Sequence, residues 1–94
     1  MNSIPTDWTV VYFNLAIVEI ALDNVDAALG LYQEVATIFP AELQAYRLCG
    51  SLLLEKGRYA EAETFLKNAV AIIPNSYQLY FLLGGVRISS FVGY

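Results

Sequence analysis

The chain has 94 residues, enough for one small domain and near the lower limit for a self-sufficient core. It is 57% hydrophobic and 15% charged, against about 45–50% and about 25% in ordinary globular proteins, so we expect a partner or self-association to cover part of its apolar surface. The net charge of −4, with no cluster of bases, argues against nucleic acid or anionic lipid as the main ligand.

Charge is unevenly distributed along the chain. Residues 1–46 hold six acidic and no basic residues, and residues 47–94 hold three acidic and five basic ones, so the halves carry −6 and +2. This asymmetry could orient a partner, although charge on solvated faces is the simpler interpretation. The single cysteine, Cys49, excludes an internal disulfide and fits a reducing compartment. The opening residues show no signal-peptide pattern, and we expect a cytoplasmic protein.

Helical patterns run along the whole chain. The first includes YFNLAIVEIAL, from Tyr12 to Leu22, which is apolar around nearly its whole circumference and therefore needs apolar neighbours on more than one side. We predict helices over residues 6–22, 25–39, 41–55, 59–73 and 76–90. Thr6-Asp7 and Asn75-Ser76 are the predicted N-caps of the first and fifth helices, while Asp23-Asn24 and Gly57 form the turns within the two hairpins.

Residues 68–86 carry no charge and are long enough to span a membrane. Pro74-Asn75-Ser76 lies in their middle and predicts a helix end followed by a polar turn. We therefore expect two helices that meet there in a soluble protein, and not one membrane-spanning helix.

The chain repeats itself with a fixed period of about 34 residues, the spacing that separates Tyr12 from Tyr46 and Tyr46 from Tyr80. Other residues that recur at this spacing are Ala16, Gly50 and Gly84; Ala28 and Ala62; Ile38 and Ile72; and Pro40 and Pro74. A fixed period of this length indicates a stacked helical array. Small residues at 16, 50 and 84 allow a second helix to approach closely, and the prolines end each second helix.

The segment YRLCGSLLLEKGRYAEAETFLKNAVAIIP resembles the tetratricopeptide repeat (TPR) family. Matching residues are Tyr46, Gly50, Leu53, Gly57, Tyr59, Ala62, Leu66, Ala69 and Pro74, with departures at Glu19, Cys49 and Arg87. The resemblance covers roughly residues 9–88. It implies an all-α, right-handed array of about two and a half helical hairpins in one domain, residues 1–94, with repeats over about 9–42, 43–76 and, in part, 77–94.

By this resemblance, the first helix of each unit lines a concave groove that binds partners. The implied groove residues are Val10, Phe13, Ile17, Ile20, Gln44, Arg47, Ser51, Leu54, Gln78, Phe81, Gly85 and Ile88. The other face of the first helix, with Tyr12, Leu15, Ala16 and Leu22, should pack within the array. A groove with one arginine among apolar residues cannot form the basic clamp of chaperone-tail-binding TPR proteins, and it suits a hydrophobic segment. The alternative is that Phe13, Ile17 and Phe81 are core residues.

The C-terminal stretch FLLGGVRISSFVGY is apolar where an array normally ends in a polar capping helix. We expect an exposed interface there, formed by Leu82, Val86, Phe91, Val92 and Tyr94. A flexible tail is the alternative, because Gly84, Gly85 and Gly93 lower helix propensity.

No pattern of catalytic residues is present. The chain has no histidine, Cys49 lies on a predicted packing face, and Glu61 and Glu63 suit the first turn of a helix. We expect no enzyme activity, metal or cofactor.

The leading hypothesis is a non-catalytic scaffold or chaperone that sequesters a hydrophobic, helical segment of a partner protein. In size and acidity the chain is similar to type III secretion export chaperones, which would imply a secreted subunit and a second small helical co-chaperone as partners. The alternative is a self-assembling TPR module that forms a homo-oligomer through its groove and C-terminal end. A third hypothesis is an enzyme subunit or a membrane-associated adaptor.

Overall fold

The structure, a computed structural model, describes the backbone of residues 4–92 and the side-chain environment of residues 8–88. Five helices make up the described part: α1 (Ile4–Ala21), α2 (Val25–Ile38), α3 (Leu43–Glu55), α4 (Tyr59–Ile72) and α5 (Tyr77–Val92). The all-α prediction is confirmed, and each helix end lies within two residues of its predicted position.

Proline ends the second helix of each hairpin. Phe39 and Ile73, which precede Pro40 and Pro74, have nearly the same non-helical backbone, with φ −124° and ψ 81° in one and φ −124° and ψ 79° in the other. The proline ring disfavours helical torsions in the residue before it, so the helix stops at that point.

The predicted cap of α5 is confirmed, and that of α1 is wrong. The backbone N–H of Leu79 donates to Ser76 Oγ at 3.3 Å, which satisfies one of the free donors at the start of α5. Thr6 and Asp7 instead lie inside α1, whose described part begins at Ile4. Pro5 is tolerated there because a helix does not need the N–H groups of its first turn.

The two turns within the hairpins have the same left-handed conformation. Asp23 has φ 64°, and Gly57, at the equivalent position of the next repeat, has φ 74°. The residue after each turn donates its N–H back to the first helix, from Asn24 to Glu19 O at 2.7 Å and from Arg58 to Leu53 O at 2.9 Å. The repeat period is therefore present in the backbone as well as in the sequence.

The helices pack in chain order. Each contacts the next, and α3 also contacts α5; within the described residues, α1 contacts α2 alone, and no Cα atom of α1 lies within 8 Å of one in α3. The buried hydrophobic cluster runs through the array and is made of Ala16, Ala28, Leu29, Tyr32, Tyr46, Cys49, Leu52, Leu53, Ala62, Leu66, Ala69, Leu79 and Val86. Three of the five helices surround α3.

Gly50 allows α3 and α4 to approach closely. A Cβ atom at Gly50 would lie 2.7 Å from Leu66 Cδ2, so no larger residue fits without movement. Gly84 is the equivalent residue of α5, and among the described residues no atom lies within 4 Å of a Cβ placed there. The structure describes no helix after α5 that could fill this space.

Two residues of α1 that we expected to pack within the array are exposed. Ala16 is buried and Tyr12 is half-buried, as expected, but Leu15 and Leu22 are exposed to solvent. The physical reason is that α2 covers only one side of α1, and the described residues place no second helix against it.

Candidate functional site

Part of the predicted groove lies between α3 and α5. Arg47, Gln78 and Phe81 line an open cavity of about 330 Å³ there, together with Leu82 and Tyr77. Arg47 Nη2 donates to Gln44 Oε1 at 2.7 Å, so this pair presents one fixed positive charge at the edge of an otherwise apolar surface. Phe81 is 79% exposed.

The α1 part of the groove lies on a helix whose backbone makes no close contact with α3 in the described part of the chain. Val10 and Ile17 are exposed on α1. Phe13 is half-buried, and its ring centroid lies 5.9 Å from that of Tyr32 in a tilted pair. Ile20 packs against the buried cluster. Among the described residues, no Cα atom of α1 lies within 8 Å of one in α3, so the backbone of α1 does not approach the residues around Arg47 closely.

The other predicted groove residues differ in exposure. Ser51, Leu54 and Gln78 are half-buried, whereas Gln44 and Ile88 are exposed. A Cβ atom at Gly85 would lie 3.8 Å from Leu54 Cδ1, which is where α5 approaches α3. The interpretation of Ile17 and Phe81 as core residues is therefore wrong for this chain, since both side chains are exposed.

The C-terminal interface needs correction at one residue. Val86 is 1% exposed and belongs to the buried cluster, because α5 turns this side toward α3 and α4. Leu82 is half-buried and packs against the same cluster. The side chains of Phe91 and Val92, and the whole of Tyr94, lie outside the described residues.

A larger cavity was not predicted. It has a volume of about 790 Å³ and opens between α2 and α4; its lining includes Gln33, Thr37, Tyr46, Thr64, Phe65 and Asn68. Tyr46 and Phe65 have ring centroids 5.9 Å apart, and Tyr46 Oη donates to Pro40 O at 2.9 Å. The signal for this cavity is the pair of uncharged polar residues at i, i+4 spacing on each of the two helices.

The titratable residues make structural contacts. Burial raises the pKa of Cys49 to about 11, so its thiol is protonated at neutral pH. Arg58 donates to Asp26 at 2.7 Å and to Glu61 at 2.6 and 3.0 Å, and the two hydrogen bonds to Glu61 lower the pKa of that carboxyl group. Glu63 lies 3.4 Å from Lys67. Glu61 and Glu63 thus each have a basic neighbour.

The uncharged stretch of residues 68–86 is divided between α4 and α5, which meet at Pro74. Across the described residues, no helix combines the length and the apolar character needed to span a bilayer.

Helical hairpins that repeat at a fixed period and share one continuous core define a helical repeat protein. A family model described as "Tetratricopeptide repeat" matches residues 19–84. The chain belongs to this family. Its repeats generally mediate protein–protein interaction.

The similarity to curated proteins is low. The Arabidopsis thaliana protein named "Protein CTR9 homolog" is 24% identical over 92 residues, which are 98% of this chain and 8% of that protein. The chain thus spans less than a tenth of this relative. No solved structure matches the chain significantly.

Proposed function

We propose that this chain is a non-catalytic protein-binding scaffold whose predicted groove holds a hydrophobic segment of a partner protein. The observation that carries this proposal is the exposure of Val10, Ile17, Phe81 and Ile88, four large apolar side chains on the helices that line the groove in this family. Large apolar side chains that are exposed at the positions lining the groove favour a surface that binds another molecule.

The chemistry of the groove specifies the partner. Arg47 is the single charged residue of the predicted groove, and Gln44 already accepts a hydrogen bond from it. An acidic peptide would find no second base there, whereas the apolar face of an amphipathic helix would bury its side chains against Phe81 and Ile88. We therefore propose a helical segment with apolar residues at i, i+3, i+4 and i+7.

A chaperone that keeps such a segment soluble in the cytoplasm is the finer form of this proposal. A type III secretion subunit stays a hypothetical partner, as does a second small helical co-chaperone. The resemblance to secretion chaperones depends on size, acidity and groove character, and the similarities to known proteins do not support it.

The test selects helical peptides from a random library against the purified chain and compares their affinity for three variants. Ile17→Asp and Phe81→Asp place a charge in the groove and should each weaken binding more than about tenfold, which corresponds to about 1.4 kcal/mol. Leu15→Asp is the matched control, because Leu15 is exposed on another face of α1. Circular dichroism should show the same helicity in all three.

Two results would contradict the proposal that the predicted groove binds the partner. One is unchanged affinity in Phe81→Asp, which would exclude the surface between α3 and α5. The other is an equal loss in Leu15→Asp, which would indicate a general effect of adding negative charge to an acidic chain.

A further inference from the structure

A second exposed apolar surface on α1 lies outside the groove. We call it the α1 stripe; its residues are Trp8, Val11, Leu15, Val18 and Leu22, all of them exposed. They follow one another at alternating i+3 and i+4 steps, so they form a continuous seam of the kind that packs against another helix.

Equivalent positions are buried elsewhere in the chain. Val11, Leu15 and Val18 correspond, in the next repeat, to Ala45, Cys49 and Leu52, all buried on α3. In the repeat after that, Leu79 and Val86 are buried on α5. Both α3 and α5 contact the helix that precedes them, and in the described part of the chain α1 has no preceding helix.

A complementary surface is present on α5. We call it the α5 end face; its residues are Tyr80, Gly84 and Arg87. Their equivalents on α3 meet α4: Tyr46 pairs with Phe65, and Gly50 receives Leu66. On α5 this position is free among the described residues, because Tyr80 is exposed and no atom lies within 4 Å of a Cβ placed at Gly84.

The α1 stripe has the same spacing as the face that α4 presents to its neighbours, formed by Tyr59, Ala62, Leu66, Ala69 and Ile73. Aligned in this way, Leu15 corresponds to Leu66, the residue that fills the space at Gly50. Val11 and Val18 are larger than Ala62 and Ala69. These alanines are enclosed because α4 contacts both α3 and α5, whereas a helix docked on α5 has space on its far side.

We propose that the α1 stripe of one chain packs against the α5 end face of a second copy, with Leu15 next to Gly84. The stripe exposes roughly 500 Å² of apolar surface, so a contact of equal area on the other copy buries about 1,000 Å², the size at which specific interfaces begin. This contact does not depend on the groove, and it joins unlike surfaces head to tail.

Charge favours this pairing over two copies of the same face. Glu19 is the single charged residue between Trp8 and Leu22, and Arg87 is the single charged residue of α5. Arg87 lies 3.8 Å from Glu63 of α4, and its side chain is exposed. Contact between α1 and α5 joins a helix whose single charge between Trp8 and Leu22 is negative to a helix whose single charge is positive, whereas contact between two α1 stripes joins two negative helices. The net charges of the two halves, −6 and +2, act in the same direction over a longer range.

Two variants that block opposite ends test the proposal by sedimentation velocity over a range of concentrations. Wild-type chain should associate as its concentration rises, while Leu15→Asp alone and Gly84→Glu alone should each sediment as a 10.4 kDa monomer. An equimolar mixture contains one intact α1 stripe and one intact α5 end face. It should form a two-chain complex and nothing larger.

Several outcomes overturn the proposal. They are a wild-type chain that is monomeric at every concentration, a mixture that stays monomeric while the wild type associates, and a Gly84→Glu variant that still self-associates. The last result would indicate pairing of two α1 stripes. Ile17→Asp alters the groove on the same helix and should leave self-association unchanged. A failure of the groove proposal can therefore be distinguished from a failure of the proposed contact between copies.

Discussion

The middle of the array and its ends are built from equivalent helices that have very different surroundings. In α3, the side chains of Ala45, Cys49 and Leu52 are buried because α2, α4 and α5 all contact this helix. In α1, the equivalent Val11, Leu15 and Val18 are exposed, although α1 is the more apolar helix. Burial in this chain therefore follows the number of neighbouring helices more closely than composition.

The same contrast applies at the other end. Gly50 of α3 and Gly84 of α5 are equivalent residues, but within the described part of the chain only Gly50 faces the side chain of a following helix. A helical array of this kind always has two terminal faces, and stable arrays make them polar. Here the first and last helices that the structure describes are apolar, with one charged residue between Trp8 and Leu22 on α1 and one on α5. The comparison of α3 with α1 and α5 thus identifies the apolar surfaces that the described helices leave uncovered.

The largest expected effect on the free energy of unfolding comes from replacing equivalent residues of α3 and α1 with alanine. Leu52 is 5% exposed and Val18 is 52% exposed. Leu52→Ala should lower the free energy of unfolding by about 3 kcal/mol, because it leaves a cavity in the core. Val18→Ala should lower it by less than about 1 kcal/mol. Urea denaturation of dilute protein, where self-association does not contribute, measures both; similar losses would contradict the contrast in burial.

A smaller effect, of opposite sign at the two sites, is expected for the two glycines. Gly50→Ala should cost about 1–2 kcal/mol, since the new Cβ lies 2.7 Å from Leu66 Cδ2 and Leu66 is buried. Gly84→Ala should instead stabilise the chain by up to about 1 kcal/mol, because alanine favours the helix and the space is open. Thermal unfolding followed by circular dichroism gives both values. A gain in stability for Gly50→Ala would indicate that Leu66 adjusts freely.

Most of the fold could be predicted from the sequence because its signals are local. Pro40 and Pro74 end two helices through steric contacts that depend on no other part of the chain. Asp23 and Gly57 mark the turns, and Ser76 caps α5. The predicted N-cap of α1 was wrong although Thr6-Asp7 has residue types as typical of an N-cap as those of Asn75-Ser76. The helix begins earlier because Pro5 is compatible with its first turn.

The candidate site could be predicted only in part, because exposure depends on which helices are neighbours. The repeat period aligns Leu15 with Cys49 but does not say that α1 has one neighbour and α3 has three. Val86 was assigned to an exposed end, although its equivalent Leu52 lies on a packing face. The polar pairs on α2 and α4 are visible in the sequence, but the cavity also depends on the distance between the two helices, which those pairs do not give.

The smallest expected effect concerns the turns of the first and second hairpins, which have the same geometry but different residues. Asp23 adopts a left-handed conformation, with φ 64°, that glycine adopts without steric cost, and Gly57 is the glycine at the equivalent position. Asp23→Gly should stabilise the chain by about 0.5 kcal/mol, which is the strain relieved less the added freedom of the unfolded chain. Gly57→Asp should destabilise it by a similar amount, since no atom of the described residues lies within 4 Å of a Cβ there and backbone strain is the main change.

The two substitutions lie in different turns, so their effects should add, and the double exchange should restore the wild-type free energy of unfolding to within about 0.5 kcal/mol. Urea denaturation of all four proteins measures this. A loss of stability in Asp23→Gly would indicate that the Asp23 side chain stabilises the first turn beyond the backbone bond from Asn24 N–H to Glu19 O. In that case the two turns would have the same geometry but would contribute differently to the free energy of unfolding, with the larger contribution from the first turn.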